Sequence, residues 1–211
     1  MKEMTDYKLT DEELQPPLLG ADGFDASAED SLPWYAIKLY TPRLNAVKQA
    51  FTDVKMSTFV PMQMTDFADS AGHIHHELRP VVRNLIFLKK TEEEAEIRRF
   101  ITSLNYKMAV VTKSATDRAY YEIPAKQMFE FQAMCNPDIL MRKFITSEQA
   151  KLKAGTPVMV KYGPLKGLTG KLVRSNKKYY LLKEVPCLGV MLKVSRWCCV
   201  PLDISNQQGC E

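Results

Sequence analysis

The chain has 211 residues, 45% of them hydrophobic and 26% charged, with a formal net charge of +4. This composition suits one large or two small folded units and argues against a fibrous or wholly disordered chain. Its longest apolar runs, such as Leu85–Leu88 and Leu188–Leu192, fall far short of the ~20 residues that span a bilayer. The acidic start is unlike an export signal, so a cytoplasmic protein without a membrane role is expected.

The net charge hides an asymmetry. Residues 1–32 sum to −7, residues 33–150 to +3 and residues 151–203 to +9. The last segment is compatible with polyanion binding or with a lysine-rich solvated surface. The five cysteines (Cys135, Cys187, Cys198, Cys199, Cys210) are odd in number and lack a Cys-x-x-Cys spacing. Neither a disulfide framework nor a zinc ribbon is expected.

In chain order, residues 1–32 read as a solvated acidic tail containing Gln15-Pro16-Pro17. Order is expected from residue 33. Trp34–Tyr40 has the aromatic, apolar texture of a buried strand. Thr41-Pro42 then looks like a helix cap followed by proline at the first helical position. Leu44, Val47, Ala50, Phe51 and Val54 continue at helical spacing. Ser57–Met64 predicts a second strand, Asp66–Gly72 a polar turn, and Leu78–Leu88 a strand broken near Arg83-Asn84.

Thr91, followed by Glu92, Glu93 and Glu94, predicts the start of a second helix, because negative charge suits a helix N-terminus. Lys107–Thr112 and Ala119–Ile123 predict strands, and Pro124 opens a third helix bearing Met128, Phe131, Met134 and Cys135. Residues 33–137 form one expected domain, 138–153 a linker, 154–203 a second domain and 204–211 a short tail. From Gly155 onward five short strands alternate with glycine, proline and lysine turns, the pattern of a small closed β-barrel.

No Ser/His/Asp setting, phosphate loop or dinucleotide fingerprint occurs, so no catalytic residue and no cofactor is expected. His73, His75 and His76 cluster, with Glu77 beside them. Neighbours on a strand diverge and no further ligand completes the set, so no metal is expected.

Gly155–Leu172 matches a known pattern: a glycine, an alternating strand, the turn Gly163-Pro164-Leu165, then Gly167-x-x-Gly170 and another strand. This segment resembles a KOW motif. Gly163-Pro164 is expected to make the tight turn, and Gly167 and Gly170 to supply positive φ or close backbone approach. Lys161 and Lys166 flank that turn and are either partner contacts or solvated charges.

The first domain resembles the N-terminal domain of the NusG family, which begins with Trp-Tyr as Trp34-Tyr35 does here. The family's Arg-Pro strand is matched by Arg79–Leu88, but Arg83-Asn84-Leu85 replaces its Pro-Gly-Tyr and Val82 replaces the preceding aromatic. The resemblance implies an α+β chain: an N-terminal α/β sandwich with an antiparallel sheet, then a five-stranded β-barrel. It implies a monomeric bacterial transcription elongation or antitermination factor that binds the clamp coiled coil of RNA polymerase and contacts the non-template DNA strand. The barrel would dock a ribosomal protein or a termination factor. The acidic tail and divergent strand are closest to the UpxY group of capsular polysaccharide antiterminators, an RfaH-like paralog.

On that resemblance Tyr40, Val82 and Leu85 are the expected polymerase contacts, although Tyr40 and Leu85 are equally compatible with a core role. Arg43, Lys48, His73, His75, His76, Arg79 and Arg83 are the expected nucleic-acid contacts. A ribosome- or RNA-associated KOW protein is the competing reading.

Overall fold

The computed structural model describes residues 31–70, 72–139 and 141–202. The expected acidic tail up to residue 30, the C-terminal tail and Cys210 lie outside the described residues. The first half runs β1 (Trp34–Leu39), α1 (Leu44–Asp53), β2 (Thr58–Phe59), β3 (Met62–Ala68), β4 (Ile74–Pro80), β5 (Leu85–Lys89), α2 (Glu94–Ser103), β6 (Met108–Val110) and α3 (Ala125–Met134). The second half runs β7 (Arg142–Thr146), α4 (Ser147–Lys151), β8 (Thr156–Val160), β9 (Thr169–Ser175), β10 (Lys178–Val185), β11 (Leu188–Val194) and β12 (Cys199–Pro201).

Four strands of the first half form an antiparallel sheet ordered β2-β5-β1-β6. Alternation along β1 and β5 divides its side chains between two faces. Tyr35, Ile37, Leu39, Ile86 and Leu88 join Leu44, Val47 and Phe51 of α1 and Ile97 of α2 in one buried cluster. Ala36, Leu85 and Phe87 belong to another, with Met128, Phe131 and Met134 of α3. Phe87 meets Phe131 edge-on, with ring centroids 5.7 Å apart. Each such fully buried side chain is worth roughly 1.5–3 kcal/mol.

The helices begin later than their sequence signals. Helix α1 starts at Leu44, with Arg43 at its cap position and no side-chain cap. Thr41 instead accepts a hydrogen bond from the Arg43 N–H at 3.3 Å, so Pro42 lies in the connecting turn. Helix α2 starts at Glu94, leaving Thr91 outside it. Pro124 does cap α3. The predicted strand at Ser57–Met64 is interrupted at Val60-Pro61, and β3 runs on into the stretch expected as a turn.

The second half is a six-stranded antiparallel sheet ordered β12-β8-β9-β10-β11-β7. This corrects the expected closed five-stranded barrel: β12 and β7 are open edges. The additional strand comes from the expected linker. Arg142–Thr146 pairs with β11 over five positions. Helix α4 follows with a capping box, in which Thr146 accepts from the Gln149 N–H and Gln149 returns the bond. Two adjacent cations in Arg142-Lys143-Phe144-Ile145-Thr146 conceal an edge strand: Lys143 is exposed, while half-buried Arg142 donates to the Cys135 and Met62 carbonyls.

The two halves share one core. The cluster holding Phe87 and Phe131 continues through Val158, Val160, Leu168, Leu181, Val185, Leu188, Val190 and Leu192. Helix α3 lies between the two sheets, which explains why Met128, Glu130, Phe131, Ala133 and Met134 are all buried. Ala150 of α4 and Ile145 cover Val173, Tyr180, Leu182 and Met191 as a third cluster.

Candidate functional site

The expected polymerase contacts divide. The N–H of Leu39 donates to the Asn84 carbonyl at 2.9 Å, which sets the end of β1 beside the turn at residues 81–84. Tyr40 follows on this surface at 62% exposure, and Arg43, Arg83 and Asn84 are exposed on the same segments. Val82 is half-buried against the shared core. Leu85 is only 2% exposed. It sits opposite Lys38 in the sheet, so its expected contact role is corrected to core packing. Asn84, which stands where the family pattern has glycine, is not among the residues with positive φ.

The expected nucleic-acid residues do not converge. Arg43 stands at the start of α1 and Lys48 lies within it. The other five belong to, or follow, the β3–β4 hairpin, whose strands pair over seven positions from Met62↔Pro80 to Ala68↔Ile74. Its histidines are held by carboxylates. His73 Nδ1 and His75 Nε2 lie 3.3 and 3.0 Å from Asp69 Oδ2, and His76 Nδ1 lies 2.7 Å from Asp66 Oδ1. His75 stacks on Phe67 with centroids 5.4 Å apart, and Arg79 lies over the same ring at 4.9 Å. Arg79 also pairs with Glu77 at 2.6 Å. Among the described residues no group of three or more His, Cys, Asp and Glu is arranged to hold a metal ion.

The glycine-rich turn has two kinds of glycine. Gly163 and Gly167 take φ of +86° and +91°, and Gly170 does not. At Gly170 an added Cβ would lie 2.6 Å from the Leu182 carbonyl oxygen, so close strand approach is what that position requires. The Gly167 N–H donates to the Val160 carbonyl and the Lys166 N–H to the Gly163 carbonyl, closing the turn around Pro164. Leu165 turns inward against the shared core, while Lys161 and Lys166 stay exposed.

Two features escaped the sequence reading. The first is a buried polar group between the halves: Glu130 of α3, 1% exposed, pairs with Lys183 of β10. The Thr169 hydroxyl lies 2.9 Å from both Glu130 carboxylate oxygens. Nearby, the Gln127 amide donates to the Glu184 carbonyl at 2.7 Å.

The second is a set of aromatics and arginines along the connection from β11 to β12, which leaves β11 beside Tyr179 and enters β12 beside the end of β8 that leads to Tyr162. Trp197–Pro201 has the sequence texture of a strand, but Arg196–Cys198 forms a 3-10 turn and β12 starts only at Cys199. Trp197 on that turn is 76% exposed and stacks near Tyr162, itself 56% exposed. Their centroids are 6.5 Å apart and their planes 28° apart. Arg174 and Arg196 both lie 5.9 Å from the centroid of Tyr179.

A cavity of about 390 Å³ between the halves is lined by Lys38, Lys113, Lys151 and Cys187, among others. Burial raises the Cys187 thiol above its ordinary value. Burial does the same to Cys135, so both stay protonated and are poor nucleophiles. No helix among the described residues is long and apolar enough to cross a membrane. A scan against protein-family models matches none of them, and no curated protein matches the chain.

Proposed function

We propose that this chain is a non-catalytic NusG-like transcription factor that binds RNA polymerase and promotes elongation through pauses or terminators, with polysaccharide operons as its targets. The observation that carries the reading is the surface where exposed Tyr40 follows Leu39, whose N–H is bonded to the 81–84 turn at Asn84. There an aromatic ring and the half-buried Val82 lie on segments that also carry the exposed cations Arg43 and Arg83. A patch that joins apolar area to flanking positive charge suits a protein surface bordered by nucleic acid. The KOW-like turn supports the same reading, since two of its motif glycines adopt the left-handed backbone that the turn demands.

The mechanism is one of differential affinity. A factor that binds the elongating polymerase more tightly than the paused one shifts the population toward elongation without chemistry of its own. The β3–β4 hairpin supplies an exposed arm on which Met64, Phe67 and Ile74 reach solvent.

The test is recovery of bacterial RNA polymerase by the tagged full chain, with Tyr40→Asp and Val82→Asp run beside it. Polymerase recovered by the wild type and lost in both variants supports the proposal. Ribosomes recovered in a salt-sensitive manner, without polymerase, overturn it in favour of a ribosome- or RNA-associated KOW protein.

A further inference from the structure

We propose that the β11–β12 connection, with Trp197 stacked near Tyr162 on one side and Arg196 over Tyr179 on the other, is a binding platform for single-stranded RNA. Trp197 and Tyr162 are among the most exposed large side chains described, and each leaves ring surface open to solvent. Their planes are 28° apart, and the segments that carry them are held together by the bond from the Lys161 N–H to the Cys198 carbonyl at 2.7 Å. The 3-10 turn that carries Trp197 is fixed by a further bond from the Cys198 N–H to the Ser195 carbonyl. The rings are therefore preorganised, which lowers the ordering cost of binding.

The charge around the rings selects the ligand. Arg196, next to Trp197 in sequence, lies over Tyr179, and Arg174 flanks the same ring. Lys161 and Lys166 border Tyr162 and are exposed. Among the described residues none of these four cations is in an ion pair with a carboxylate. Residues 151–203 carry 11 basic and two acidic side chains. Stacking faces interleaved with free cations match a strand that offers unstacked bases and a phosphate at each step. Trp, Tyr and Arg would suit a protein-docking face too, but the exposed Lys161 and Lys166 do not, since lysine is depleted there. A duplex hides its base faces and would gain nothing from the rings. The choice of RNA over DNA rests on the polymerase-bound role proposed above, where the transcript is the single strand that leaves the enzyme; the platform itself does not rest on it.

The experiment is a titration of the full chain with a short oligouridine, read by tryptophan fluorescence and by filter binding at two salt concentrations. The wild type should bind with quenching, and more weakly at high salt. Trp197→Ala and Tyr162→Ala should each weaken binding about tenfold or more. Arg196→Ala should weaken it and flatten its salt dependence. Lys126→Ala, which removes one exposed charge from α3, should leave it unchanged. Circular dichroism of each variant confirms the fold.

Binding that survives Trp197→Ala, or equal binding of duplex RNA, would overturn the platform, and stronger binding of the matching DNA strand would overturn the assignment to RNA. A wild type that ignores RNA, but needs Trp197 to recover a ribosomal protein, would replace it with a protein-docking surface. The titration contains no polymerase. Recovery of polymerase without RNA binding therefore sinks the platform alone, and the reverse result sinks only the polymerase reading.

Discussion

Glu130 and Lys183 are separated by 53 residues in the chain and meet as a buried ion pair between the halves. The carboxylate is 1% exposed and the lysine side chain 13% exposed. Removal of one partner strands a charge where water cannot reach it. Glu130→Leu should therefore lower stability by about 3–5 kcal/mol, whereas Glu130→Leu combined with Lys183→Met should recover most of the loss. Urea denaturation of the two single variants and the double variant measures this. A double variant no more stable than Glu130→Leu would show that the pair is not what couples these positions.

The motif glycines should respond differently to substitution. Gly170→Ala forces a Cβ against the Leu182 carbonyl oxygen and should cost about 1–3 kcal/mol. Gly163→Ala meets open space but must hold φ at +86°, a strain of roughly 1–2 kcal/mol. Asparagine separates the causes, because it tolerates left-handed backbone. Gly163→Asn should be milder than Gly163→Ala, and Gly170→Asn at least as harmful as Gly170→Ala. Thermal melts of the four variants decide the matter.

The β9–β10 hairpin contains an avoidable strain. Asn176 and Lys177 both have positive φ, at 49° and 60°, as in a two-residue turn that favours Asn-Gly. Lys177 is exposed and carries this conformation with a full side chain. Lys177→Gly should stabilise the chain by about 1 kcal/mol, a rise of roughly 2–4 °C in Tm for a protein of this size. A melt that is unchanged or lower would mean that turn strain is relieved elsewhere.

Tyr35 should shape the alkaline limb of the stability curve. Burial pushes its phenol from an ordinary 10.0 to about 12, partly opposed by Lys90. A raised folded-state value means that the folded chain holds the proton more tightly. Its stabilising share is complete below pH 10 and is lost as pH climbs toward 12. Tyr35→Phe keeps the ring that meets Tyr120 edge-on at 5.3 Å and removes the titration. Denaturation between pH 9 and 12 should show a shallower decline for the variant, and parallel curves would exclude this role.

The sequence was most legible where one periodicity dominated. Trp34–Leu39 and the Leu44, Val47, Phe51 stripe appear as read, because aromatic density and helical spacing leave few alternatives. Strand β7 was hidden because an edge strand can carry charge on its open side. The starts of α1 and α2 slipped by two residues, at α1 because Thr41 found a local partner instead of capping. Leu85 was ambiguous because an apolar residue after a turn looks the same whether it faces a partner or a core.

Glu130 could not be read from the chain. A glutamate on an amphipathic helix ordinarily faces water, and only the second sheet, brought over α3, makes it buried. The Tyr162–Trp197 pair is likewise a product of register. It exists because β8 and β12 pair antiparallel at Val160↔Cys199, which sets the turn after β8 beside the turn before β12.

The shared apolar cluster gives the chain one melting event. Phe131 and Met134 belong to the same buried cluster as Phe87 and Leu188. A cut anywhere between residues 137 and 154 would bare oily surface on each piece, and a cut after Thr146 would also strip the second sheet of an edge strand. The halves are thus two floors of one building with a common ceiling joist. Calorimetry should record a single endotherm, with equal calorimetric and van't Hoff enthalpies. Slow amide exchange should extend without a break from β1 through α3 into β10 and β11.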